Sequence, residues 1–86
     1  RNVVLCGLGR VGWRVLESLL ATGAAVTVID TQAKEGDPRL AGAAFVRGDC
    51  RQADVLERAG ARSAAGVLVV TSDDLVNVGT ALAVRK

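Results

Sequence analysis

With 86 residues and 8.8 kDa the chain has room for one domain, and a chain this short buries only a little over half of the surface its unfolded form exposes, so a small or incomplete fold is expected. Half of the residues are hydrophobic but only Trp13 and Phe45 are aromatic, so the core must be built from Val, Leu, Ile and Ala, a composition that favours parallel strands covered by helices. Eleven basic and nine acidic residues are scattered singly, which argues against nucleic acid as a partner, and no stretch approaches the ~20 apolar residues that span a bilayer.

The first β-branched run, Asn2 to Cys6, predicts a strand. It is followed by Val11, Val15, Leu16, Leu19 and Leu20 at helical spacing on one face, with Gly23 placed to end the helix. Ala25 to Ile29 predicts the second strand. Pro38 to Ala43 signals a second helix only weakly, in a segment from Thr31 to Gly42 that is short and polar enough to be half loop. Ala44 to Val46 reads as the third strand. Gln52 to Ala59 reads as a helix with Asp54 in its first turn, Arg58 in its last and Gly60 as its stop. Gly66 to Val70 is the fourth strand, and Asp73 to Arg85 is predicted as a helix capped by Ser72 or Thr71.

The order β-α-β-α-β-α-β-α predicts an α/β fold, a Rossmann-like doubly wound parallel sheet of four strands alternating with helices. Such domains usually add further strands, so residues 1–86 are expected to form one lobe that is truncated at its C-terminal side.

Gly7-Leu8-Gly9-Arg10-Val11-Gly12 fits G-x-G-x-x-G directly between a strand and a helix. In that context Gly7 permits the tight turn, Gly9 leaves no side chain between backbone and pyrophosphate, and Gly12 lets helix and strand approach. The helix N-terminus then offers N–H groups and a favourable dipole to phosphate. Asp30 ends the second strand, 23 residues after Gly7, near the ~20-residue interval of the carboxylate that bonds ribose hydroxyls. It would repel a 2′-phosphate, which favours NAD or simple adenine nucleotides over NADP unless a base such as Lys34 compensates. The bland alternative is that the glycines only make a turn and Asp30 only ends a strand. Arg10 has two readings of equal weight, a phosphate donor or a solvated surface residue.

Val46-Arg47-Gly48-Asp49-Cys50-Arg51 and Val67-Leu68-Val69-Val70-Thr71-Ser72-Asp73-Asp74 with Asn77, together with the glycine turn, resemble the N-terminal lobe of the regulator of potassium conductance domain, the RCK or TrkA-N family. The resemblance covers essentially the whole chain. It implies a non-catalytic regulatory domain that binds NAD(H) or an adenine nucleotide such as ATP, ADP or AMP. It further implies a homodimer or larger ring at the cytoplasmic face of the membrane, acting on a potassium channel or transporter subunit in the same or a separate chain. The carried-over binding positions are Gly7, Leu8, Gly9, Arg10, Val11 and Gly12, then Asp30 and Thr31, then Gly48, Asp49 and Cys50 on the adenine side, with Thr71 and Ser72 facing the same crevice. Cys50 and Arg51 depart from the small hydroxyl or Ala-Thr pair common after Gly-Asp.

Asp49 has the alternative role of capping the helix near Gln52. Asp73 and Asp74 are more often dipole partners of a helix than ligands of Ca2+. Cys6 reads as a small buried hydrophobe and Trp13 as a helix-surface or interface residue. Two cysteines without histidine fit neither a disulfide framework nor a zinc site, and a reducing, cytoplasmic setting is the expectation. The competing function is the dinucleotide-binding half of an NAD-dependent dehydrogenase, since the turn and Asp30 serve either. A lobe that keeps the fold and binds nothing is the third possibility.

Overall fold

Val4, Leu5 and Cys6 are all buried although successive strand residues point to opposite faces, which is the signature of a strand covered on both sides. In the computed structural model, which describes residues 2–71 and 74–77, this run is β1 (Asn2–Cys6) at the centre of a five-stranded sheet. β2 (Ala25–Asp30) and β4 (Gly66–Thr71) flank β1 and run parallel to it, and β3 (Ala44–Arg47) lies parallel beside β2. Cys6 sits opposite both Ile29 and Val69 in the ladder.

Helix α1 (Arg10–Ala21) connects β1 to β2, and its buried Leu16 packs with Leu5, Leu8, Val26, Val28, Leu40 and Val70 on one face of the sheet. The short helix α2 (Ala53–Arg58) covers the other face, where Val55 and Ala59 join Val4, Cys6, Ile29, Ala61 and Val67. The chain thus leaves β1 toward one face and reaches β4 from the other. This places the reversal of strand order between β1 and β4, where open α/β sheets bind ligands.

The weakly signalled helix at Pro38 is a single 3₁₀ turn, Pro38–Leu40, capped by the Asp37 carboxylate; its one buried residue, Leu40, seals the α1 face. A second 3₁₀ turn, Ala61–Ser63, follows α2.

The helix expected from Asp73 to Arg85 is corrected in part by the structure. Asp74–Asn77 form β5, antiparallel to β4, with Val69 opposite Val76 and Val70 opposite Leu75. The sheet therefore has a fifth, antiparallel strand beyond the four expected. Pairing of this apolar stretch supplies backbone partners to a β4 edge that would otherwise be open, and this outweighs the local helix-start signals. Ser72, Asp73 and residues 78–86 lie outside the described residues, and with them the helix cap placed at Ser72 and the Asp73 member of the calcium alternative.

Candidate functional site

The glycines of the turn fall into two kinds. Gly7 has φ +98°, and a Cβ there would collide with the Val70 carbonyl of β4; a Cβ on Gly12 would strike the Gly7 carbonyl. Both are required by the fold itself. Gly9 differs, because its φ of −77° and ψ of −164° are extended backbone open to any residue, and the position is exposed. It is the residue before α1, where Ser, Thr, Asp or Asn would ordinarily close the helix with a side-chain oxygen. Glycine leaves that end without a side-chain cap, so the first-turn N–H groups of Arg10, Val11 and Gly12 have no acceptor from the residue before them.

Asp30 is tied into the same turn. Its Oδ1 accepts the Leu8 N–H at 3.0 Å, and its Oδ2 accepts the N–H groups of Gln32 at 3.0 Å and Ala33 at 2.7 Å. A carboxylate has about four acceptor sites, so three bonds leave room for about one further donor. Leu8, itself buried, thereby holds the glycine turn against the end of β2. Sequence spacing alone pointed to the carboxylate as a ribose contact; the structure adds that it builds the turn.

Beside this turn opens a cleft of about 650 Å³, lined by Leu8, Gly9, Trp13, Asp30, Thr31, Gln32, Ala33, Lys34, Asp37 and Arg39. Of the residues expected from the sequence it brings together Leu8, Gly9, Asp30 and Thr31. Lys34, weighed from the sequence as a base near Asp30, also lines it, whereas Trp13, Gln32, Ala33, Asp37 and Arg39 were not expected there. The Arg39 guanidinium lies 3.7 Å from the centroid of the Trp13 ring, and its Nη2 is 2.9 Å from Asp37 Oδ2. This folds the segment after β2 against α1 and makes one wall. Bonding to Arg39 holds the Asp37 carboxyl below its usual range and raises Arg39. The signal available beforehand was Trp13 itself, a large ring on the half-buried side of α1.

Gly48, Asp49 and Cys50 do not line that cleft. The Gly48 N–H extends the ladder to the Asp30 carbonyl at 3.1 Å, and a Cβ there would press on the Val55 methyls of α2 at 2.8 Å. Asp49 does not cap α2 with its side chain. Its Oδ1 accepts the Arg51 N–H at 2.9 Å, and its Oδ2 pairs with Arg51 Nη2 at 2.7 Å, because an aspartate can close a turn on the N–H two residues on. Those bonds from Arg51 lower the Asp49 carboxyl to about 2. α2 instead begins after Gln52, without a side-chain cap. Cys50 turns inward and packs against the cluster that contains Cys6. Thr71 ends β4 beside the Cys6 strand, and its backbone alone is described.

The family model of the TrkA-N domain matches residues 3–86. The chain belongs to the TrkA-N domain family. Among solved structures, this TrkA-N chain is similar to the Kef CTD of Shewanella denitrificans in its AMP-bound form, with a TM-score of 0.70 and 30% identity over 86% of this chain and 44% of that one. It is also similar to a UDP-glucose 4-epimerase, with a TM-score of 0.68 and 25% identity over 88% of this chain and 24% of that one. The human SLO3 gating ring shares the fold, with a TM-score of 0.62 and 19% identity over 84% of this chain and 13% of that one. The chain thus spans less than half the length of the solved proteins it matches. No curated protein matches it. Among the described residues no helix is long and apolar enough to cross a membrane.

Proposed function

We propose that this TrkA-N chain is the nucleotide-sensing part of a regulatory assembly that controls a potassium channel or transporter, and that it binds an adenine nucleotide, AMP foremost, or NAD(H). The observation that carries the reading is Gly9, a glycine not demanded by its backbone angles, which leaves the N-terminus of α1 open beside the cleft. The residues present suit a nucleotide. The α1 N-H groups from Arg10 to Gly12 would face phosphate, and the remaining acceptor site of Asp30 would take one ribose hydroxyl. The segment from Thr31 to Lys34 would border the sugar and base. In this reading the Asp49 carboxylate takes no ligand, since Arg51 already holds it.

The AMP-bound Kef CTD supports an adenine nucleotide, and the family supports a role in potassium transport at the inner face of the membrane, within a homodimer or larger ring of like domains. Regulation requires that the ligand bind two arrangements of that assembly with different affinity. The dehydrogenase alternative draws on the same turn, and the epimerase likeness shows how widely the fold is shared. The TrkA-N family match favours the regulatory reading.

Calorimetric titration with AMP, ADP, ATP, NAD, NADH and NADP tests this. Saturable binding of an adenine nucleotide, with NADP weakest, is expected. Absence of binding to every one of them by the folded protein would overturn it.

A further inference from the structure

The two cysteines of the chain are 44 positions apart in sequence, and the fold brings them together. Cys6 is the last residue of β1, one step before the glycine turn, and is 1% exposed. Cys50 lies in the loop between β3 and α2, half-buried, and packs against the cluster of Val4, Cys6, Ile29 and Val55. Cys6 and Cys50 thus share one side of the sheet, in the cluster beneath α2. The pair is asymmetric. The neighbouring Cys50 and burial push the Cys6 thiol up, whereas the neighbouring Cys6 brings Cys50 down to about 7. Cys50 is also the member that reaches the surface, where its two charged neighbours oppose each other, Asp49 disfavouring the thiolate and Arg51 favouring it.

We propose that Cys6 and Cys50 form a reversible dithiol–disulfide couple, with Cys50 as the attacking thiol and Cys6 as the resolving one, so that oxidation by a peroxide staples the end of β1 to the β3–α2 loop. In the first step the Cys50 thiolate attacks a peroxide oxygen; an S–O bond forms, the O–O bond breaks, and hydroxide leaves and takes a proton from solvent as water. In the second the Cys6 sulfur attacks the Cys50 sulfenic acid; the S–S bond forms, the S–O bond breaks, and the Cys6 proton leaves with the hydroxyl as a second water. Two thiols are oxidised by two electrons and one hydrogen peroxide is reduced to two waters. A disulfide holds its sulfurs about 2.05 Å apart, and closing the pair falls to the loop from Gly48 to Gln52, which has no regular structure between Arg47 and Ala53.

The couple stands independently of nucleotide binding, and its test reads the thiols themselves. The reduced protein is treated with a small excess of hydrogen peroxide, quenched in acid, denatured and alkylated, then measured by intact mass and peptide mapping. Both thiols are expected to become unreactive, with loss of two hydrogens, an internal Cys6–Cys50 crosslink, a higher thermal midpoint and full reversal by dithiothreitol. Cys6→Ser is expected to divert Cys50 to its sulfinic acid, which dithiothreitol does not reverse, and Cys50→Ser to leave Cys6 unreacted. Wild-type protein that keeps both thiols, accumulates oxygen on Cys50 with Cys6 free, or crosslinks only between chains would overturn the proposal.

Discussion

Two loops of this molecule carry a glycine and an aspartate beside the carboxyl ends of parallel strands, and they use them differently. At the first, Gly7, Gly9 and Gly12 shape the turn after β1, while Asp30 reaches across from the neighbouring strand to accept the Leu8 N–H. At the second, Gly48 and Asp49 follow β3, but the carboxylate closes on Arg51 two residues away and Cys50 turns into the core. Both helices that follow begin without a side-chain cap, but the first loop opens on the cleft whereas the second closes its carboxylate on its own residues. An aspartate after a strand therefore gains meaning from the backbone it can reach, and a carboxylate that reaches across strands builds a site where one that reaches along its own loop builds a turn.

The sharpest way to break the comparison is at the glycines. Gly12→Ala puts a Cβ against the Gly7 carbonyl, which belongs to rigid backbone, and should cost about 3 kcal/mol or more or prevent folding. Gly48→Ala meets side-chain methyls of Val55, which can shift, at a φ of +159° and should cost about 1–3 kcal/mol. Urea denaturation of both variants measures the gap, and equal losses would remove the distinction between the loops.

Next in size is Asp30→Ala, which strips acceptors from the N–H groups of Leu8, Gln32 and Ala33. A loss of about 1–3 kcal/mol is expected in the same denaturation experiment, with Asp30→Asn recovering part of it because one oxygen remains. The Trp13–Arg39 wall is exposed on its Arg39 side, so Arg39→Ala should lower stability by only about 0.5–1 kcal/mol, read by thermal melting, while widening the cleft.

Asp49→Asn is the smallest effect. Its carboxyl is depressed in the fold, so whatever the contact with Arg51 contributes is present above the ordinary carboxylate range and fades as pH falls toward about 2. Arg51 is 87% exposed, and the stability of the Asp49→Asn variant near neutral pH should match the wild type within error. A clear difference in an acid titration of the two would show that the second loop carries more than its own turn.

Much of the fold was legible because its signals are local. β-branched runs bounded by glycine located the four parallel strands, and the periodicity of Val11, Val15 and Leu16 located α1. The glycine turn was legible as well, since strand, glycines and helix adjoin in sequence. β5 was not, because Asp73 and Asp74 before an apolar stretch look like a helix start, and only the open edge of β4 makes Leu75 and Val76 a strand. Nor was the wall of the cleft, which depends on Trp13 meeting Arg39 across 26 positions, or the meeting of Cys6 with Cys50. The role of Asp30 was half legible: its spacing located the carboxylate, but its bonds to the turn come only from three-dimensional contact.

The central claim is that Gly9 is a glycine for the sake of what approaches it. Because φ and ψ there suit any residue, Gly9→Val should keep the fold, checked by circular dichroism, at a cost of about 1 kcal/mol because valine caps a helix less well than glycine. Calorimetric titration of AMP into wild type and Gly9→Val is then the direct measurement. The account predicts saturable binding to the wild type and affinity at least about tenfold weaker in the variant. Equal affinity in two folded proteins would contradict it.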